Sequence, residues 1–194
     1  MQRIGVFCGS RNGSLPQYGE MADALGEALV KSRIDLVTGG GDIGLMKQIS
    51  DAVLRLGGNV VGVIPEFLYE KEVAHLGLTE LIVVDTMHQR KAKVAELSDG
   101  LITLPGGFGT LDETFEMLTW NQLHLHHKPF GLLNINGYFD KLLEFIDRMV
   151  QDKFLKPDDR NMIQVSEDPD ELLLKMKKST LPSNPKWVGV RDKE

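Results

Sequence analysis

Three glycine-rich segments, one arginine and a run of carboxylates are the parts of this 194-residue chain whose types and spacing could do chemistry. Cys8-Gly9-Ser10-Arg11, Gly39-Gly40-Gly41-Asp42-Ile43-Gly44 and Pro105-Gly106-Gly107-Phe108-Gly109-Thr110 each follow a short apolar run that reads as a strand. Glycine lets backbone approach an anion closely, and a helix starting just beyond offers unpaired N–H groups and a favourable dipole. Any one such loop is equally well a tight strand-to-helix turn. Three on one sheet edge point to an anion site. Gly39, Gly41 and Gly44 fit the dinucleotide spacing G-x-G-x-x-G, with Glu66 near the end of the next strand, but they follow the second predicted strand rather than the first. No glycine loop runs into Gly-Lys-Ser/Thr, which argues against nucleoside triphosphate hydrolysis.

Met87-His88-Gln89-Arg90-Lys91 opens a predicted helix. A cation there opposes the helix dipole, so Arg90 calls for a partner such as an anionic ligand; the plainer reading is a solvated basic turn shared with Lys91 and Lys93. Leu111–Glu116 opens another predicted helix after the third glycine loop. Thr110-x-x-Glu113 has capping-box spacing, and acidic residues suit a first turn. A carboxylate beside a phosphate loop is also what hydrolysis of an N-ribosyl bond needs, because the sugar develops oxocarbenium charge. Spacing alone does not choose between cap and catalyst. Glu113 and Glu116 share a helix face, with Leu111, Phe115 and Leu118 expected toward the core. His124, His126 and His127 cluster at a predicted helix end, far along the chain from His75 and His88. None forms a metal-ligand pattern, and no metal is expected.

The elements that must position these groups follow from short apolar runs alternating with amphipathic segments, the pattern of an α/β fold. Expected strands are Ile4–Cys8, Asp35–Thr38, Val60–Ile64, Leu81–Val84, Gly100–Leu104 and Phe130–Ile135, with a weaker one at Met162–Val165. Several are apolar throughout, as when helices cover both sheet faces. Helical stripes fall at Ala22, Leu25, Gly26 and Leu29, at Leu45, Ile49, Val53 and Leu56, and most cleanly at Phe139, Leu142, Leu143, Ile146 and Val150. Gly57-Gly58-Asn59 supplies a helix stop. One domain is expected over residues 1–178. A surface tail is expected over 179–194, with Pro182 and Pro185 against regular structure and Trp187 as an anchor or subunit contact.

The formal net charge of −6 disfavours nucleic acid or an anionic membrane as partner, though not a small phosphorylated ligand. Cys8 is the single cysteine, so neither an intrachain disulfide nor a cysteine-based zinc site is expected. No run approaches a membrane span, and the N-terminus enters a strand-like run directly, so a cytoplasmic protein is expected.

Pro105–Glu113 resembles the PGGxGTxxE signature of the LOG family, the cytokinin-activating phosphoribohydrolases long mislabelled as lysine decarboxylases. Val6–Ser10, Gly39–Met46, Met87–Lys91, Trp120–Leu123 and Lys128–Leu133 are similar to further blocks of that family, in family order. The resemblance implies a Rossmann-like, doubly wound, mainly parallel sheet of about six or seven strands with helices on both faces. It further implies a homodimer that hydrolyses AMP or N6-prenylated adenosine monophosphates to ribose 5-phosphate and free base, with no cofactor. By the same resemblance Arg90 and Glu113 are the catalytic pair, Gly106, Gly107, Gly109 and Thr110 hold the 5′-phosphate, and Lys91, Glu72 and Thr119 belong to the substrate site. Gly9, Ser10, Gly40, Gly41, Asp112 and Glu116 complete the expected binding set; Asp112 stands where many relatives carry glutamate. Two other functions compete. One is a pyridoxal-phosphate decarboxylase, for which no Schiff-base lysine stands out; the other is a nucleotide carrier of the same fold without turnover.

Overall fold

The computed structural model describes residues 1–69, 71 and 73–179. All seven apolar runs form strands: β1 (Arg3–Phe7), β2 (Asp35–Thr38), β3 (Val60–Pro65), β4 (Glu80–Val84), β5 (Gly100–Thr103), β6 (Phe130–Leu133) and β7 (Ile163–Ser166). They pair in parallel in the order β4-β3-β2-β1-β5-β6-β7. The sheet is parallel throughout, and the helices lie over both its faces. The expected tail, with Pro182, Pro185 and Trp187, lies outside the described residues apart from Ser179.

Alternation along the strands sends side chains into two cores. Ile4, Val6, Leu36 and Ile102 meet α1 (Pro16–Lys31), α2 (Gly44–Arg55) and α8 (Pro169–Lys178), through Leu25, Ile49 and Leu172 among others. Phe7, Val37, Leu101 and Phe130 face the other way, onto α4 (Met87–Leu97), α5 (Phe108–Gln122) and α6 (Asp140–Gln151). Two short helices, α3 (Glu66–Tyr69) and α7 (Pro157–Asn161), complete the chain order.

This strand order has one reversal. The chain works outward from β1 through β2 and β3 to β4, then returns to place β5 on the other side of β1. Helices leave opposite faces at that point, which opens a crevice beyond the carboxyl ends of β1 and β5. The first and third glycine loops follow those two strands, and the second follows β2 next door. Their convergence is therefore a consequence of topology.

Four helices end with a residue in the left-handed region, at Arg33, Gly57, His124 and Lys153. Each carries the paired backbone bonds of a Schellman turn, as in Phe154 N–H to Met149 O at 2.9 Å and Lys153 N–H to Val150 O at 3.1 Å. Only Gly57 is the residue type that this conformation favours. The penalty of about 1–2 kcal/mol for an L side chain there exceeds the extra chain entropy of glycine, about 0.5–1 kcal/mol. Lys153→Gly, on an exposed side chain, is expected to raise stability by roughly 0.5–1 kcal/mol, read as a higher urea midpoint at constant slope. A lower midpoint would contradict it.

Candidate functional site

The α5 helix begins at Phe108, with Gly107 as its N-cap. Thr110 is thus the third helical residue and Glu113 the sixth, so the Thr110–Glu113 pair does not form the capping box that its spacing suggested. A capping box forms instead at α4, where the Thr86 hydroxyl accepts the Gln89 N–H at 3.2 Å and Gln89 Oε1 accepts the Thr86 N–H at 3.2 Å. The two segments share the same T-x-x-E/Q pattern. What separates them is burial: Thr86 and Gln89 are exposed, while Thr110 and Glu113 are buried.

Thr110, Glu113, Thr114, Met117 and Asn121 form the inward stripe of α5 at helical spacing. Leu111, Phe115 and Leu118, expected there, are only half-buried. The helix is rotated by about 100°, one residue's turn, from the hydrophobic expectation. That rotation drives the Glu113 carboxylate beneath the sheet edge at 9% exposure. Burial pushes its pKa up; Arg90 pulls it down, and Asp112 pushes the same way as burial.

Arg90 is buried too, at 8% exposure. As the fourth residue of α4 its side chain reaches the sheet edge and finds two backbone carbonyls. Nε donates to Val63 O at 3.2 Å and Nη2 donates to Gly39 O at 3.2 Å. Met46 and Met87 sulfurs flank the guanidinium at 3.8 and 3.9 Å. Two of the three nitrogens are thereby fixed, and Nη1 stands 3.6 Å from Glu113 Oε1. The guanidinium is planar and has no other free rotation, so this seat determines where its remaining donors point. The partner that an arginine near a helix start calls for is, within the protein, two backbone carbonyls and a carboxylate.

Lys91 does not line the cleft. It is buried at 6% exposure, with Nζ 3.1 Å from Asp112 Oδ2 and 2.7 Å from Glu116 Oε2. Burial alone would lower its pKa, but the two carboxylates win and raise it. The resulting α4–α5 clamp sets the spacing between the helices that carry Arg90 and Glu113.

Around the pair lies a cleft of about 420 Å³, in the range of small-molecule sites. Ser10, Gly41, Gly107, Gly109, Thr110 and Asp112 line it together with Arg90 and Glu113. Gly9 and Gly106 line an adjoining cavity that shares Ser10 and Gly107. Gly40 lies behind the wall, its carbonyl accepting the His75 N–H at 2.9 Å. Thr119 is not brought to the cleft within the protomer: it is exposed, six residues beyond Glu113 along α5, and its hydroxyl donates to Phe115 O. Glu72 lies outside the described residues. One wall is apolar, with Ile43, Met46, Ile64, Leu68, Val73 and Met87. Cys8 also lines the cleft, but burial drives its thiol far up and leaves it neutral.

Two resembling blocks have structural tasks. Asn121 grips Lys128 at both its carbonyl, 2.8 Å, and its N–H, 3.3 Å, fastening the end of α5 to the start of β6. Lys128 Nζ donates to the carbonyls of Ala95 and Ser98 at the end of α4. Nearby, His126 has its pKa pulled to about 4 by burial, with Lys128 and His127 adding to the shift. Among the described residues, no three histidine, cysteine or acidic side chains gather as a metal site would need.

The family described as "Possible lysine decarboxylase" matches residues 46–176. A cytokinin riboside 5′-monophosphate phosphoribohydrolase of Arabidopsis thaliana is 48% identical over 172 residues, covering 89% of this chain and 79% of its own. A second Arabidopsis protein of that name is 48% identical over 175 residues, covering 90% of this chain and 82% of its own. Among solved structures, the molybdenum cofactor binding protein of Rippkaea orientalis matches with a TM-score of 0.69 at 23% identity, over 90% of this chain and 94% of that one, a likeness of fold.

Proposed function

The chain belongs to the LOG phosphoribohydrolase family, whose profile also carries the lysine decarboxylase label, and we propose that it hydrolyses the N-glycosidic bond of AMP or an N6-modified adenosine 5′-monophosphate. The observation that carries this reading is the buried Arg90–Glu113 pair, 3.6 Å apart at the switch point of a parallel sheet. The 5′-phosphate sits on the unpaired N–H groups at the start of α5, from Gly107 to Thr110, where the dipole favours an anion. Arg90 Nη1 points at the phosphate and ribose from its carbonyl seat. Glu113 holds the ribose and supports the positive charge that grows on C1′ as the bond to the base breaks and water adds. Water supplies a hydroxyl to C1′ and a proton to the departing base, so the products are ribose 5-phosphate and free adenine or its N6-modified form.

The lysine decarboxylase label does not fit the residues present. Pyridoxal phosphate chemistry needs a neutral lysine amine in the cleft to form a Schiff base. Among the described residues no lysine lines the cleft, and Lys91, next to Arg90 in the chain, is held protonated by two carboxylates.

A homodimer is part of this reading. On α6 only Ile146 is buried; Leu142, Leu143 and Met149 are half-buried and Phe145 is 57% exposed. Phe154, just beyond, is 86% exposed. An apolar face of that kind suits an isologous contact with a second copy. No described helix is long and apolar enough to cross a membrane, and the buried, unbridged Cys8 supports a cytoplasmic setting.

Incubation with AMP followed by chromatography is expected to release adenine, in a protein that sediments as a dimer. Tight binding of AMP without release of base would replace the hydrolase by a carrier.

A further inference from the structure

The third glycine loop contains a Gly-Gly peptide that its own residues cannot hold. With no Cβ on either side, the Gly106–Gly107 peptide can rotate between two orientations at little steric cost. A side chain at Gly106 to restrict it is ruled out, because a Cβ would stand 2.1 Å from Thr110 Oγ1 and 2.9 Å from the Gly9 backbone nitrogen. The preceding peptide is fixed differently: Pro105 has a ring-locked φ, and its carbonyl accepts the Gly9 N–H at 3.0 Å.

What fixes the Gly-Gly peptide comes from the turn after β6. The Tyr138 hydroxyl donates to Gly106 O at 2.6 Å. Its ring is held edge-on between Tyr18, at 5.7 Å and 80°, and Phe139, at 5.0 Å and 89°. The turn that presents it, Ile135–Gly137 after β6, places Asn136 and Gly137 in the left-handed region and is cross-braced by Asn134. Asn134 Nδ2 donates to Asp140 Oδ1, and Asn134 Oδ1 accepts the Phe139 N–H, both at 2.7 Å. So much bracing holds a strained turn in one conformation.

A trans peptide carries its C=O and N–H on opposite sides. Once Gly106 O is drawn to Tyr138, on the side of the adjoining cavity, the Gly107 N–H must point the other way, toward the cleft that Gly107 also lines. Among the described residues no acceptor takes the N–H of Gly106 or Gly107. We propose that Tyr138 is a positioning residue for phosphate, locking the Gly106–Gly107 peptide so that an N–H rather than a carbonyl faces the anion. In the flipped orientation the same peptide presents an oxygen to the phosphate and repels it. The proposal rests on the phosphate half of the reading above and is independent of turnover.

The test compares the full chain with Tyr138→Phe, which removes one hydroxyl and keeps the ring packing. Inorganic phosphate is titrated into both ¹⁵N-labelled proteins, and the Gly107 amide is followed by NMR. The wild type is expected to show a downfield, phosphate-dependent shift at Gly107, and Tyr138→Phe to lose that shift and bind phosphate about tenfold more weakly at unchanged melting temperature. With AMP as substrate, KM rises by a similar factor while kcat is kept. Equal phosphate affinity in the two proteins, or a Gly107 amide unmoved by phosphate in the wild type, overturns the proposal. Failure of the wild type to release adenine removes the hydrolase reading, and the phosphate titration still decides the role of Tyr138.

Discussion

Glu113→Gln is expected to lower base release from AMP by about a thousandfold and to raise, rather than lower, the melting temperature at neutral pH. The rate follows from charge: glutamine keeps the shape of the carboxylate but offers no anion to a sugar becoming positive. The stability follows from linkage. Burial raises the Glu113 pKa in the folded state in spite of Arg90, so the folded protein binds this proton more tightly than the unfolded chain does. Stability from that proton is complete below the ordinary glutamate pKa and is lost as pH rises through the higher folded value. Above the ordinary glutamate pKa the raised folded value is thus a standing cost that glutamine does not carry. The gain of the variant should fade as the pH is lowered toward the ordinary carboxylate range. Calorimetry across that range measures it, and a variant that melts lower at neutral pH would show that the carboxylate holds the fold together. In the wild type the acid limb of kcat/KM belongs at a higher pH than an ordinary glutamate gives, since only the ionised form supports the transition state.

The central strands were legible because burial on both faces leaves continuous apolar runs, and a glycine follows within three residues of the ends of β1, β2 and β5. The third loop was legible for the same reason, reinforced by family resemblance. The orientation of α5 was not. Its best hydrophobic stripe, through Leu111, Phe115 and Leu118, faces partly outward, while the inward stripe carries Thr110, Glu113 and Thr114. Periodicity reports which face is apolar and not what covers it, and α6 repeats the lesson with Ile146 alone buried. The seat of Arg90 was the least legible feature, because Val63 and Gly39 contribute backbone carbonyls, which every residue possesses. Nothing in the side-chain sequence marks them, except that one of the two positions must be glycine.

That exception leads to the second large effect. Gly39 adopts no left-handed φ, so alanine is acceptable to the backbone there. The obstacle is the methyl group alone: a Cβ at Gly39 would lie 1.6 Å from Arg90 Nη2 and 2.6 Å from Cζ. The guanidinium must leave its seat, giving up the Gly39 carbonyl and shifting Nη1 relative to Glu113. A displacement of about 1 Å at a reacting pair costs on the order of a hundredfold, so Gly39→Ala should lower kcat/KM for AMP at least that far. The fold should lose only about 1–3 kcal/mol, as for other added methyl groups in packed sites. Arg90→Lys should not escape the loss either, since one ammonium group cannot span two carbonyls and a carboxylate with the geometry of a planar fork. The decisive comparison is the cycle of Gly39→Ala, Arg90→Ala and the pair. If glycine acts only by making room for the guanidinium, the double variant is no slower than Arg90→Ala alone. Additive losses would mean that Gly39 serves the substrate by some route other than the arginine it accommodates.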